Sequence, residues 1–300
     1  MTMGQLLARG TEALQQAGVP EPELDARYLF LEAFHLSLSS FLAVRNRELS
    51  EDSGETEARV CFEEWIRKRA KRIPLQHLIG VQWFMGLEFQ VNEHVLVPRQ
   101  DTETLVELVL EEQKEKDKRI LDVCTGSGCI AVSLARLGGY LQVTGLDLSQ
   151  EALAVAKKNG DRLLGDSADD GAAEVKRMTS SRINWIQSNM FQALDPGQPF
   201  DVIVSNPPYI PSWIIEGLEP EVRDHEPRMA LDGADDGLAF YRILAEEGMA
   251  YLVPGGWIYM EIGHDQSQAV EQLFFDNGYE KIRTVKDLAG KDRVVCARWP

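Results

Sequence analysis

The spacing of apolar residues changes character along the chain. Up to about residue 75 it is helical: Leu6, Leu7, Ala13 and Leu14 make one stripe, and Leu24, Tyr28, Leu29, Leu31 and Ala33 a second. Recurrence at three and four residues buries one face of a helix. Gly18 and Pro20 punctuate the end of the first helix, and Glu21-Pro22-Glu23 opens the next, proline being suited to a first turn. The polar stretch 50–57 predicts a loop and residues 58–71 a further helix. Residues 1–77 therefore predict a small all-α domain.

Between residues 78 and 97 the texture is β-like. Trp83, Phe84, Leu87, Phe89, Val91, Val95 and Val97 fall in a strand pattern, with Gly86 and Asn92-Glu93 at turn positions; this predicts a linking β-hairpin. Pro98-Arg99 ends it, and residues 102–116 predict a helix. From 119 to 262 strands and helices alternate. Strands are predicted at 119–124, 141–146, 183–187, 200–205 and 256–262, and helices at 128–137, 151–159 and 238–252. Such alternation implies a parallel sheet covered on both faces. After a helix at 266–277, strands at 281–285 and 293–298 are separated by the short turn Ala289-Gly290-Lys291, which forces antiparallel pairing. The fold class is α/β, a Rossmann-like sheet over 98–300 closed by an antiparallel C-terminal hairpin. Residues 160–181 are polar and too long for an ordinary helix-to-strand turn; they are read as a mobile surface insertion.

Composition narrows the class. The chain has 300 residues, 44% of them hydrophobic, enough for one large core and one small one. No apolar run reaches the length of a membrane span. The N-terminal segment, interrupted by Gln5, Arg9 and Glu12, is an amphipathic helix and not a signal peptide. Cys61, Cys124, Cys129 and Cys296 form no C-x-x-C pair, so neither a zinc site nor a disulfide framework is expected, and a cytoplasmic location fits. The net charge of −17 speaks against a nucleic-acid partner, which needs a basic surface. It suits a basic protein partner, or simply solubility.

Two stretches carry chemistry. In the first, Asp122-Val123-Cys124-Thr125-Gly126-Ser127-Gly128 is the end of a strand and a tight turn before a helix. Glycines let the backbone turn sharply and approach a ligand. Asp147 ends the next strand, 21 residues after Gly126, where a carboxylate can accept both ribose hydroxyls of an adenosine. NAD and S-adenosylmethionine both meet that description, and Gly126-x-Gly128-x-x-Ala131 alone does not choose between them. Asp122, at the strand end, is placed to meet a ligand amine or to cap the turn.

The second stretch is Asn206-Pro207-Pro208-Tyr209, directly after the fourth strand. Ligands of open α/β sheets lie beyond the C-terminal strand ends, so this loop is expected to face the nucleotide. A planar amide nitrogen is a poor nucleophile and must be held close and in line to accept a methyl group. The Asn206 side-chain oxygen and the Pro207 carbonyl would accept its two hydrogens, in a loop that proline makes stiff. Tyr209 would offer a flat face to a planar group. These acceptors gain strength as the nitrogen becomes positive. Glutamine amide, adenine N6 and guanine N2 all satisfy the pattern.

Taken with four further stretches, the sequence closely resembles the release factor glutamine methyltransferases, the PrmC or HemK family of class I S-adenosylmethionine-dependent methyltransferases. These are Arg72-Ile73-Pro74-Leu75-Gln76-His77-Leu78-Ile79-Gly80, Leu96-Val97-Pro98-Arg99-Gln100-Asp101-Thr102-Glu103, His225-Glu226-Pro227-Arg228-Met229-Ala230-Leu231-Asp232-Gly233 and residues 287–295. The resemblance spans essentially the whole chain. It implies N5-methylation of the glutamine in the Gly-Gly-Gln motif of class 1 peptide chain release factors, with residues 1–77 and the hairpin holding that substrate. It also implies a cofactor site at Asp122, Val123, Cys124, Thr125, Gly126, Gly128, Asp147, Leu148, Met190 and Asn206. The glutamine site would be Asn206, Pro207, Pro208 and Tyr209, with Asn206, Pro207 and Tyr209 catalytic. Departures from the family pattern are Met190 where an aromatic residue is usual beside the adenine, Cys124 for a usual glycine and Gln100 for a usual proline.

Rival readings make different demands. A sister enzyme acting on ribosomal protein L3 would share the catalytic motif and differ in the N-terminal domain. A nucleic-acid base methyltransferase would need a basic face. An NAD-dependent oxidoreductase would leave Asn206 to Tyr209 unexplained, and a non-enzymatic binding module ranks last.

Overall fold

The first helix begins where Thr2 can cap it. In the computed structural model, which describes residues 1–50, 52–165 and 183–300, Thr2 Oγ1 accepts from Gln5 N at 3.2 Å while Gln5 Oε1 accepts from Thr2 N at 2.8 Å. This reciprocal box satisfies two otherwise orphaned donors. Five helices follow one another: α1 (Met3–Gln16), α2 (Pro22–Ala33), α3 (Leu38–Val44), α4 (Ser53–Arg69) and α5 (Leu75–Ile79). The expected helix at 58–71 starts earlier because Asp52 caps it through Gly54 N. The chain divides into two compact units, the first being residues 1–81 with 219–225. Its core is Leu6, Leu14, Leu29, Phe30 and Phe62, with the Phe30 ring stacked on Phe34 and edge-on to Phe41 and Phe62. Gly10 has a Phe62 ring carbon 2.5 Å from where a Cβ would lie, so only glycine lets α1 come this close.

Residues 219–225 join the first unit through charge. Glu221 receives Arg69 at 2.7 Å and Arg72 at 2.6 Å, and Arg69 also reaches Asp25 at 2.7 Å. Nothing in the sequence pattern announces this return of a late segment to the N-terminal helices.

The second unit is residues 82–218 with 226–300. Strands β1 (Val81–Phe84) and β2 (Leu87–Gln90) form a two-stranded sheet turning at Met85 (φ +51°) and Gly86 (φ +71°), the two positive angles of the tightest hairpins. The expected hairpin extends to 97; strand pairing stops at Gln90, although Val91, Val95 and Val97 stay buried. A short turn at Gln100–Thr102 leads into α6 (Glu103–Glu112), which ends before the expected 116 at buried Gln113. There follow β3 (Arg119–Val123), α7 (Cys129–Ser133), β4 (Gln142–Asp147), α8 (Gln150–Leu164), β5 (Asn184–Gln187) and β6 (Phe200–Ser205). Then come α9 (Ser212–Ile215), α10 (Pro220–Arg223, within the first unit), α11 (Ala239–Glu247), β7 (Leu252–Glu261), α12 (Ser267–Asp276), β8 (Glu280–Lys286) and β9 (Asp292–Arg298). Helix α8 takes residues 160–164 out of the expected insertion; the rest of that expectation, from residue 166, lies outside the described residues.

Seven strands lie in the order β5-β4-β3-β6-β7-β9-β8. Strands β3 to β7 run parallel, and β9 inserts antiparallel between β7 and β8. From β3 the chain winds outward through β4 and β5, then returns to place β6 on the other side. That reversal opens a crevice beyond the C-terminal ends of β3 and β6. Ile120, Val143, Val202, Val204 and Tyr259 are buried on one face of the sheet, and Leu121, Leu146, Ile203, Ile258 and Met260 on the other. No helix among the described residues is long and apolar enough to cross a membrane.

Candidate active site

The crevice holds a cavity of about 240 Å³ whose wall comes from the ends of β3, β4, β5 and β6 and from segments within 94–102 and 227–232. Its first wall is the turn after β3. Cys124 (φ +62°), Gly126 (φ +55°) and Gly128 (φ +79°) all adopt left-handed backbone. The conformation at Cys124 costs a residue with a Cβ about 1–2 kcal/mol, which accounts for the glycine usual there in the resembling family. The turn is held by Thr125 N donating to Leu146 O at 2.8 Å and Gly128 N to Thr125 O at 2.8 Å. Beneath it Asp122 Oδ2 accepts from Thr125 Oγ1 at 2.5 Å and from Ala131 N at 3.2 Å.

Asp122 is fully buried and is absent from the cavity wall. Burial pushes its carboxyl up to about 7, against the opposing pull of Thr125 and Ala131 N. Its Oδ2 caps the turn, while its Oδ1 is buried with no hydrogen-bond partner among the described residues. Gly128 is likewise outside the wall: a Cβ there would sit 3.0 Å from Ala156 and from the Trp185 ring, so its smallness serves packing. Gly126 does line the cavity, and a Cβ on it would meet nothing within 4 Å.

Asp147, at the end of β4, forms the second wall. Its Oδ2 accepts from Gly126 N at 2.8 Å and its Oδ1 from Ser149 N at 2.9 Å. Burial raises its pKa, and the backbone donors at Ser149, Gly126 and Leu148 oppose the rise. Leu148 and Met190 add apolar surface to the wall. Met190 has φ +48° and its Sδ lies 4.0 Å from Cys124 Sγ. Val123, Cys124 and Thr125 complete this side.

The loop after β6 is the third wall, and it alternates. Asn206 and Pro208 line the cavity, whereas Pro207 and Tyr209 do not. Successive residues of an extended segment point to opposite sides, so the expected flat face of Tyr209 is turned into the protein. Its hydroxyl donates to Glu261 Oε1 at 3.2 Å and its carbonyl accepts from Gln266 Nε2 at 3.0 Å. Burial raises the Tyr209 pKa, with the Glu261 charge adding to it. Asn206 Nδ2 donates to Thr102 Oγ1 at 3.3 Å. Its Oδ1, and the Pro207 carbonyl, accept no hydrogen bond from any described residue.

Residues 226–233 lie over this loop. Ile210 N donates to Leu231 O and Gly233 N to Ile210 O, at 2.9 and 2.8 Å. A Cβ on Gly233 would fall 2.8 Å from Tyr209 Cα, so glycine permits the approach. Glu226, 1% exposed at its side chain, accepts from Arg99 Nη2 at 2.6 Å and from Val97 N at 3.2 Å, fixing the 97–99 segment at the rim. Burial raises its pKa while Arg99 lowers it. Arg99, Thr102 and Glu226 stood in the motifs quoted above without a role; Glu261 was not singled out. Its position at the C-terminal end of a parallel strand was the available signal.

Comparison with known proteins agrees with this geometry. The family model described as the PrmC N-terminal domain matches residues 5–80, and that of the methyltransferase small domain matches residues 100–212. A release factor glutamine methyltransferase of Caulobacter vibrioides is 39% identical over 98% of this chain and 96% of its own length. The chain belongs to the release factor glutamine methyltransferase family. Another member, from Moorella thermoacetica, is 40% identical over 99% of this chain and 98% of its own length. Among solved structures, a methyltransferase from Pyrococcus furiosus aligns with a TM-score of 0.51 at 17% identity, over 77% of this chain and 98% of that one. At that identity the likeness speaks for the fold alone, the class I methyltransferase sheet read from the sequence.

Proposed function

We propose that this enzyme transfers a methyl group from S-adenosylmethionine to the side-chain amide nitrogen of the glutamine in the Gly-Gly-Gln motif of class 1 peptide chain release factors. The observation that carries the reading is the amide of Asn206. Its nitrogen is occupied by Thr102 and its oxygen is unpaired among the described residues, in the wall of the cavity that Gly126 and Asp147 also line. An unpaired acceptor beside a nucleotide site is what a carboxamide NH₂ requires.

The cavity residues fit the cofactor. Open space over Gly126 leaves room for a ligand against the backbone, and Asp147 is already oriented by two backbone donors. When bound, S-adenosylmethionine supplies an electrophilic methyl group on a positively charged sulfur. Asp147 accepts from the ribose hydroxyls, and Leu148 and Met190 pack on the adenine. Val123, Cys124, Thr125 and Gly126 bring main chain to the ligand. Asp122 and Gly128 act from behind, by holding the turn. Asn206 Oδ1 accepts from the substrate NH₂, and the Pro207 carbonyl, on a residue whose ring is turned from the cavity but whose oxygen no described residue claims, is assigned as the second acceptor; both keep the lone pair directed at the methyl group and gain strength as the nitrogen becomes positive. Pro208 packs on the substrate side chain, and Tyr209 fixes the loop. No base is needed before transfer, because the proton departs to water afterwards.

The helical unit, residues 1–81 with 219–225, holds the release factor in this reading, and the net charge of −17 favours encounter with basic segments of it. The enzyme is then cytoplasmic. Asn206→Ala is expected to keep S-adenosylmethionine affinity by calorimetry while turnover on purified release factor falls roughly 100-fold. Retained turnover overturns the role of Asn206. Mass spectrometry of release factor and ribosomal protein L3, each incubated with enzyme and cofactor, separates the two protein substrates. A gain of about 14 Da on release factor alone is expected, and a gain on L3 alone refutes the assignment.

A further inference from the structure

We infer that Thr102, backed by the buried carboxylate of Glu261, is a positioning residue that sets which way the Asn206 amide faces, and so presents its oxygen to the substrate nitrogen. The inference rests on the reading just given of Asn206 as the acceptor. An asparagine amide has two orientations of nearly equal shape, one offering oxygen to the cavity and the other NH₂. Only the first can accept from a substrate amide. Something must choose, and the neighbour in contact is the Thr102 hydroxyl, 3.3 Å from Asn206 Nδ2.

A hydroxyl alone does not choose, because it can donate to the amide oxygen as readily as accept from the amide nitrogen. The choice is made if its proton is drawn elsewhere. The acceptor we assign to that proton is Glu261, on whose charge the Thr102 hydroxyl acts. Its side chain is buried, with the residue 1% exposed; one oxygen takes the Tyr209 hydroxyl at 3.2 Å, and the other, Oε2, has no partner among the described residues. A carboxylate oxygen in that condition is a strong acceptor for a nearby proton. Burial raises the Glu261 pKa, and the Thr102 hydroxyl, the Arg293 guanidinium and the Tyr209 hydroxyl oppose that rise. Arg293 is itself anchored between Asp101 at 2.9 Å and Asp287 at 3.1 Å. With the Thr102 proton turned to Glu261, its oxygen faces Asn206 only as an acceptor, and the amide must present NH₂ to Thr102 and oxygen to the cavity.

The test uses the full-length enzyme and purified release factor, with kcat, KM and S-adenosylmethionine affinity measured for each variant. Thr102→Val keeps the shape and removes the hydroxyl; kcat is expected to fall about tenfold, with cofactor affinity within twofold, roughly the scatter of such measurements. Thr102→Ser restores kcat. Glu261→Gln, whose amide can donate to Thr102 and release its proton toward Asn206, is expected to lower kcat like Thr102→Val. Thr102→Ala serves in place of Thr102→Val if the valine variant does not fold. In the Asn206→Ala background Thr102→Val is expected to cost nothing further, since a residue acting through Asn206 has nothing left to act on. A merely structural Thr102 would lower activity in both backgrounds alike, and that result overturns the inference. So does wild-type kcat in Thr102→Val while Asn206→Ala is inactive, an outcome that leaves the Asn206 reading intact. Full activity of Asn206→Ala removes that reading and the inference with it.

Discussion

The two glycines of the turn after β3 separate ligand binding from packing, and replacing each by alanine tests the distinction. Both have positive φ, +55° at Gly126 and +79° at Gly128, so each alanine carries left-handed strain of about 1–2 kcal/mol. At Gly126 that is the whole cost to the fold, because the added Cβ meets nothing within 4 Å. At Gly128 the Cβ meets Ala156 and Trp185, both at 3.0 Å, and overpacking of a filled interior adds roughly 1–3 kcal/mol. For a unit of this size about 1 kcal/mol lowers Tm by roughly 2–4 °C. Gly126→Ala is therefore expected to lower Tm by about 2–8 °C, and Gly128→Ala by about 4–20 °C. Ligand affinity should follow the opposite order. The Gly126 methyl stands in the space read as the ligand's and should weaken S-adenosylhomocysteine at least about tenfold, an effect of about 1.4 kcal/mol. At a ligand concentration near 100 times the wild-type Kd, stabilisation of about 2.7 kcal/mol then falls to about 1.4 kcal/mol. The folded fraction of Gly128→Ala should bind within a few-fold of wild type. Thermal melts across a S-adenosylhomocysteine titration, with calorimetric Kd values, read both quantities. Wild-type affinity in Gly126→Ala refutes the ligand assignment, and equal Tm losses in the two variants refute the packing argument.

Two further predictions concern the carboxylates of the site. Asp147→Ala removes acceptors already aimed by Gly126 N and Ser149 N; cofactor affinity should drop roughly 10- to 100-fold, from the loss of charge-assisted hydrogen bonds, and an unchanged calorimetric Kd would remove Asp147 from the site. Asp122 has its folded pKa raised from 3.8 to about 7 by burial, so the folded state holds its proton more tightly than the unfolded chain. That contribution is complete below about pH 4 and is lost as pH rises toward 7, at most about 4 kcal/mol. Asp122→Asn keeps an oxygen for Thr125 and Ala131 N without this penalty. Its Tm relative to wild type should therefore climb between pH 5 and pH 8, and a flat difference would contradict the burial argument.

What the sequence revealed and what it concealed divide along sequence distance. Strands β3 to β7 and the positions of Gly126, Asp147 and Asn206 were legible because each rests on local information: an apolar run, a glycine turn, a strand end. Residue-level orientation was not. That Pro207 and Tyr209 turn away from the cavity while Asn206 and Pro208 line it depends on how the loop leaves β6. The return of residues 219–225 to the N-terminal helices depends on Glu221 meeting Arg69 and Arg72, two surface-type charges with no periodicity to betray them. The contact between Thr102 and Asn206 spans 104 residues, and no motif spacing encodes a pairing of that kind. Cys124 is intermediate: its departure from glycine was visible, but only the backbone angle gives the departure a cost.

The loop after β6 is held far more firmly than its own two prolines require. Thr102 takes its first side chain, Gln266 its Tyr209 carbonyl and Glu261 its Tyr209 hydroxyl, while Gly233 allows residues 231–233 to bond directly to Ile210. Gly237 is as close, with a Cβ position 2.4 Å from the Tyr209 carbonyl oxygen. Rigidity of this degree is what a weak nucleophile demands. An amide nitrogen gains little from a base, so the rate must come from acceptors that are in place before the reaction and need no reorganisation during it. On the proposed role of Asn206, glycines 233 and 237 serve the same end, since a side chain at Gly233 would meet the Tyr209 main chain and one at Gly237 the Tyr209 carbonyl and Gln266, and either would let the loop drift.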